Sequence, residues 1–130
     1  VKNPAGANEV LRTLALEPGE HDLLGVLNDR IADGRDVSWI WDADFELLAG
    51  RVRRFTCSGT RSAELAMRIK YSGIDVERIV VEPDLRRALD AAAADETEPH
   101  APLYALPTYT AMLALRELLV ARGELSRAWS

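Results

Sequence analysis

The chain has 130 residues, 48% hydrophobic and 28% charged, with a formal net charge of −5: one globular domain, able to bury about two-thirds of its unfolded surface without disulfides or metals. No apolar run approaches the ~18 residues that span a bilayer, and the acidic balance argues against a nucleic-acid or anionic-membrane surface, each of which needs a basic patch. Cys57 is the only cysteine, which excludes an internal disulfide and a cysteine-rich zinc site and fits a reducing compartment.

Val1-Lys2 has neither an initiator Met nor a signal peptide before it and reads as the end of a strand in a piece of a longer protein. After Asn3-Pro4, residues Val10, Leu11 and Leu14 share a helical face, and Pro18-Gly19 ends that helix. Leu23 to Leu27 is a short continuous apolar run, the pattern of a strand buried on both faces of a parallel sheet. The polar stretch Asn28 to Asp36 follows as a loop. Val37, Trp41, Phe45 and Leu48 then recur at helical spacing, widened by Ile40 and Leu47, so a helix is predicted over 37–49 with Gly50 closing it. Val52 to Cys57 alternates as a strand, Ser58-Gly59-Thr60 turns, and Leu65, Ala66 and Ile69 mark a helix ending at Gly73. Ile79 to Val81 is a strand, Asp84 an N-cap, and Leu85, Ala88, Leu89 and Ala92 an apolar helical stripe. Asp95 to Pro99 reads as a solvated loop. Leu103 to Leu106 is the last strand, broken by Pro107, and Thr108 or Thr110 caps a helix over 111–122.

The sum is a single α/β domain over 1–130, a Rossmann-like, mostly parallel sheet of about five strands with helices on both faces, the first strand truncated. Ligands gather at the carboxyl ends of such strands. This directs attention to the loops Asn3 to Gly6, Asn28 to Asp36, Ser58 to Arg61, Glu82 to Asp84 and Pro107 to Thr110.

No glycine-rich phosphate loop or G-x-S-x-G motif occurs there, and His21 and His100 fall at the opposite, amino-terminal edge. A complete Cys-His or Ser-His triad is therefore not expected within the chain. Cys57, at a strand end, reads as a buried small hydrophobe. The densest chemistry is in Asp33 to Glu46, with its acids and two tryptophans. Asp36 is placed to cap the helix at Val37, and one carboxylate oxygen can cap while the other faces outward. Trp41 belongs to the apolar stripe, whereas Trp39 lies off it and suits an interface anchor. Asp42, Asp44 and Glu46 point in different directions along a helix, so no metal site is expected. Arg61, opening a helix after a strand, is placed to hold a carboxylate or phosphate, or to pair with Glu64. Lys2-Asn3-Pro4 is a turn signal and, by its location, a ligand contact.

Lys2-Asn3-Pro4-Ala5-Gly6-Ala7-Asn8-Glu9, Asn28-Asp29, Asp33-Gly34-Arg35-Asp36-Val37-Ser38-Trp39-Ile40-Trp41-Asp42, Ser58-Gly59-Thr60-Arg61 and Leu106-Pro107-Thr108-Tyr109-Thr110 together resemble the C-terminal domain of MurT-type Mur ligases, over essentially the whole chain. The Asn-Pro start and Gly-Arg-Asp loop are similar to segments of Mur ligases and folylpolyglutamate synthases generally. The resemblance implies a cytoplasmic, ATP- and Mg²⁺-dependent amidotransferase at the inner face of the bacterial membrane. It would convert the D-glutamate of lipid II to D-isoglutamine, with ammonia from a GatD-type class I glutaminase. The ATP site would lie mainly outside this chain, with no cofactor bound here and no activity alone. The resemblance also implies that Asp36 completes a Cys-His-Asp triad whose other members belong to the glutaminase, with Asp33, Asp42 and Asp44 as rivals close in sequence. Lys2, Asn3 and Arg61 become substrate contacts, and Trp39 and Asp42 the partner interface. Two other readings stay open. One is the terminal domain of an amino-acid-adding Mur-type ligase; the other is a stand-alone Rossmann-like binding or regulatory module. A receiver-like module would want a lysine where Pro107-Thr108 follows the last strand.

Overall fold

Residues 3–94 and 103–121 are described by the computed structural model. Helix α1 (Pro4–Leu16) starts as its sequence dictates: Pro4 has no N–H to leave unpaired, and the Asn3 side chain accepts a hydrogen bond from the Gly6 N–H at 2.8 Å. Its buried face is Ala7, Leu11 and Leu14. Strand β1 (His21–Val26) is buried along its whole length, as a central strand covered on both sides must be. The other strands are β2 (Val52–Ser58), β3 (Ile79–Val81) and β4 (Leu103–Pro107).

All neighbours are parallel, in the order β3-β2-β1-β4, with Gly25 of β1 opposite Cys57 on one side and Leu106 on the other. The chain winds outward from β1 to β3 and then returns to pair β4 with β1. The winding therefore reverses between β1 and β4, whose carboxyl ends form the topological switch point. Helices cover both faces. Leu23 and Leu27 pack with α1 and with Leu65 and Ile69 of α2 (Ser62–Lys70). Leu24 and Val26 pack on the other face with Ala88 and Leu89 of α3 (Leu85–Ala94) and Ala111 and Leu115 of α4 (Tyr109–Ala121). This alternation along β1 is the two-residue period of a strand.

The described sheet has four strands; the expected truncated strand at Val1-Lys2, the loop Asp95 to Pro99 and His100 lie outside the described residues. His21 sits at the amino end of β1, edge-on to Tyr104 at 5.4 Å between ring centroids.

The segment 37–49 departs from the predicted helix. It forms two separate 3-10 turns, Ser38–Trp41 and Phe45–Leu48. The α-helical bond from the Asp44 N–H to the Ile40 carbonyl is not made, because each group has another partner. Asp44 donates to Asn8 Oδ1 at 2.7 Å, and the Ile40 carbonyl accepts from Arg68 Nε at 2.8 Å. Tertiary hydrogen bonds thus replace the helical ladder while Val37, Ile40, Phe45 and Leu48 remain buried. The last helix differs mildly: it opens at Tyr109, directly after Thr108, whose carbonyl accepts the Met112 N–H at 2.8 Å, and the Thr110 N–H is taken by the Asp33 carboxylate at 2.7 Å.

Candidate functional site at the carboxyl edge of the sheet

Three of the loops are stitched together by Asn28, just past β1. Its N–H donates to Thr108 Oγ1 at 3.1 Å, its side-chain N–H to Thr110 Oγ1 at 3.1 Å, and its Oδ1 accepts from the Thr60 N–H at 3.0 Å. Gly59 permits this closeness. It has φ +99°, and a Cβ there would meet the Leu27 carbonyl oxygen at 2.5 Å and Asn28 Oδ1 at 2.7 Å, so only glycine fits. The loop after β3 joins through Pro83, whose carbonyl accepts from the Gly59 N–H at 3.1 Å.

The four rival aspartates occupy different environments. Asp33 is buried, and its carboxylate accepts both the N–H and the hydroxyl of Thr110. It is a structural tie between the loop after β1 and α4. Gly34 then turns the chain with φ 89° and ψ 132°, a region open essentially to glycine alone, and carries Arg35 and Asp36 outward. Asp36 is exposed, with Oδ1 accepting the Ser38 N–H at 2.9 Å. The Ser38 N–H and then the Ser38 hydroxyl hold its carboxyl below the usual range, helped by the charge of Arg61. No α-helix begins at Val37 for Asp36 to cap: Val37 is itself the cap residue of the 3-10 turn, and Asp36, one position earlier, accepts the Ser38 N–H in a side-chain turn. Asp42 and Asp44 are exposed.

Arg61 bonds to Asp29 at 3.0 Å and to Glu64 on the next turn of α2. The Arg61 guanidinium, followed by the Thr60 hydroxyl, lowers the Asp29 carboxyl. Asn3 caps α1, and Ala7 of the same helix lines a narrow apolar cavity of about 30 Å³ with Trp39 and Thr108; Lys2 lies outside the described residues. The tryptophans exchange their expected places. Trp39 is half-buried against the core, while Trp41 is 48% exposed beside Tyr71. With no α-helix over 37–49, the stripe that would have buried Trp41 does not exist. Cys57 is fully buried, and desolvation pushes its thiol up to about 12, which leaves it inert.

Arg68 is a site residue absent from the sequence-based expectations. Its guanidinium is buried under the Asp36–Glu46 segment, donating to the carbonyls of Ile40 and Ala43 and to both Glu46 oxygens. The signal was its position: Leu65, Arg68 and Ile69 fall at i, i+3 and i+4, which puts the arginine on the buried stripe.

Residues 1–112 match the family model described as MurT ligase C-terminal. The chain belongs to this MurT C-terminal family. Two relatives bear the name lipid II isoglutaminyl synthase (glutamine-hydrolyzing) subunit MurT. The one from Streptococcus pneumoniae is 39% identical over 123 residues, which cover 94% of this chain and 27% of the relative. That from Staphylococcus aureus strain COL is 39% identical over 119 residues, 91% of this chain and 26% of the relative. The chain thus spans about a quarter of the length of these curated MurT relatives. No helix among the described residues is long and apolar enough to cross a membrane.

Proposed function

We propose that this MurT-family domain works within a glutamine-hydrolysing, ATP-driven amidotransferase that turns the D-glutamate of lipid II into D-isoglutamine at the cytoplasmic face of the membrane, with Asp36 lent to the triad of a GatD-type glutaminase subunit. The observation that carries this reading is the state of Asp36: a solvent-facing carboxylate, held ionised by Ser38, on an edge where no described residue is a histidine. A carboxylate bonded to the second nitrogen of a partner's histidine fixes its tautomer and stabilises the imidazolium, and its loss in triads reduces rate by on the order of 10⁴. Ammonia release then requires both subunits.

Asp42, Trp41 and the exposed rim of Trp39 form the face offered to the glutaminase. Asn3 and Arg61 face the substrate, a role the resemblance extends to Lys2, and Arg61 exchanges Glu64, a surface partner of small energetic weight, for an anionic group. ATP and Mg²⁺ belong to the rest of the protein.

The decisive variant is Asp36→Asn in the full-length protein with its glutaminase. Glutamine-dependent amidation should fall by on the order of 10⁴, while amidation from free ammonia persists. Retained glutamine hydrolysis would overturn the assignment.

A further inference from the structure

The segment that carries Asp36 has little structure of its own. Its 3-10 turns are short, with hydrogen bonds of poorer geometry than those of an α-helix, and two of its carbonyls turn inward. Arg68, only 3% exposed, supplies their donors: Nε to Ile40 at 2.8 Å and Nη2 to Ala43 at 2.7 Å. The same guanidinium holds Glu46 through two bonds of 2.8 Å. Its plane also lies near the rings of Trp41 and Phe45, at 5.5 and 5.4 Å from their centroids. A planar fork satisfies all these directions at once, which a lysine cannot do. The turn so fixed, Ser38–Trp41, is the one whose first N–H seats the Asp36 carboxylate.

We propose that Arg68 is the positioning residue for Asp36. By locking the Ser38–Trp41 turn against α2, it sets the direction in which the carboxylate meets the glutaminase histidine, and couples the partner-facing segment to the rigid sheet. The inference rests on the triad reading of Asp36. Its role is distinct from stability alone, because a turn displaced by about 1 Å can lower a rate by about 10²-fold while the fold survives.

The test uses the full-length protein in complex with its glutaminase and compares Arg68→Lys, Glu46→Gln and Asp36→Asn. Arg68→Lys keeps the charge and loses the fork. With the glutaminase at saturating concentration, it should lower kcat for glutamine hydrolysis by about ten- to a hundredfold with KM for glutamine unchanged, while the ammonia-dependent rate stays at wild-type level. Glu46→Gln weakens the fork at a side chain that is 58% exposed, and should give a smaller fall in the same kcat alone. Glutamine kcat unchanged in both variants would overturn the inference. If Arg68→Lys loses glutamine- and ammonia-dependent activity together, Glu46→Gln decides: a selective fall upholds the role, and no change overturns it. Asp36→Asn separates the two readings. Should it lose glutamine hydrolysis while the Arg68 and Glu46 variants keep it, this inference alone fails; should it keep glutamine hydrolysis, the triad reading fails first.

Discussion

Within the sheet, single atoms decide local stability. Thr56 of β2 is buried at 1% exposure, and its hydroxyl has no hydrogen-bond partner among the described residues. Burying a hydroxyl without a partner costs roughly 1–3 kcal/mol by mutational measure. Thr56→Val keeps the β-branched shape, suits a strand and removes that cost. The urea midpoint of the domain should rise, by the equivalent of about 1 kcal/mol. A fall instead would mean that the hydroxyl is satisfied. Ser58, two residues on, is different: its hydroxyl reaches the Pro83 carbonyl at 3.2 Å, so the same change there removes one of the two donors to that carbonyl, the other being the Gly59 N–H.

At the scale of elements, Asp33 joins two that are far apart in sequence, the loop after β1 and the start of α4. Asp33→Ala removes a cap and leaves the Thr110 N–H and hydroxyl without their acceptor, so a loss of about 2 kcal/mol is expected. Asp33→Asn should lose less, since the amide can still accept the N–H. Thermal unfolding of both variants checks this ordering, and equal stability of Asp33→Ala and the parent chain would refute the tie. The same reasoning separates Asp33 from Asp36, which sequence proximity could not do: one is consumed by α4, the other faces solvent. The strands and α-helices outside 37–49 were legible because their apolar periodicity coincides with the burial that forms them. Segment 37–49 was misread because its apolar spacing fits a helix, while Asn8 and Arg68, 36 and 28 residues away from their partners Asp44 and Ile40, take the backbone groups that a helix would use. Local periodicity can mark Arg68 as buried on α2, but it cannot show which distant carbonyls its guanidinium will take. For the same reason Trp39 and Trp41 were expected in each other's place, and the stitching by Asn28 was invisible.

For the whole molecule, three carboxyls with lowered pKa lie in the loops beyond the carboxyl edge of the sheet. The carboxyls of Asp29 and Glu46 lie below their ordinary values, chiefly through hydrogen bonds from Arg61 and Arg68 respectively, and that of Asp36 chiefly through the Ser38 N–H. A carboxyl whose folded pKa is depressed binds fewer protons in the native than in the unfolded state. Its contribution is complete above the unfolded value, about 4 for such groups, and is lost as pH falls through the lower, folded value. These three groups therefore leave stability flat from neutral pH to about pH 5 and withdraw it below about pH 4. The two ion-paired sites should also respond differently to salt. Asp29–Arg61 and Glu46–Arg68 are both ion pairs, but Arg68 is buried and Arg61 is part-exposed at 31%, so salt screens the Asp29 pair more. Urea midpoints at pH 7, 5 and 3 should drop only in the last interval for the parent chain, and raised salt should blunt the share due to Asp29 more than the share due to Glu46. Glu46→Gln, which cannot titrate, should flatten part of the acid limb; an acid limb of unchanged depth in that variant would show that the Arg68 fork does not depend on the charge of Glu46.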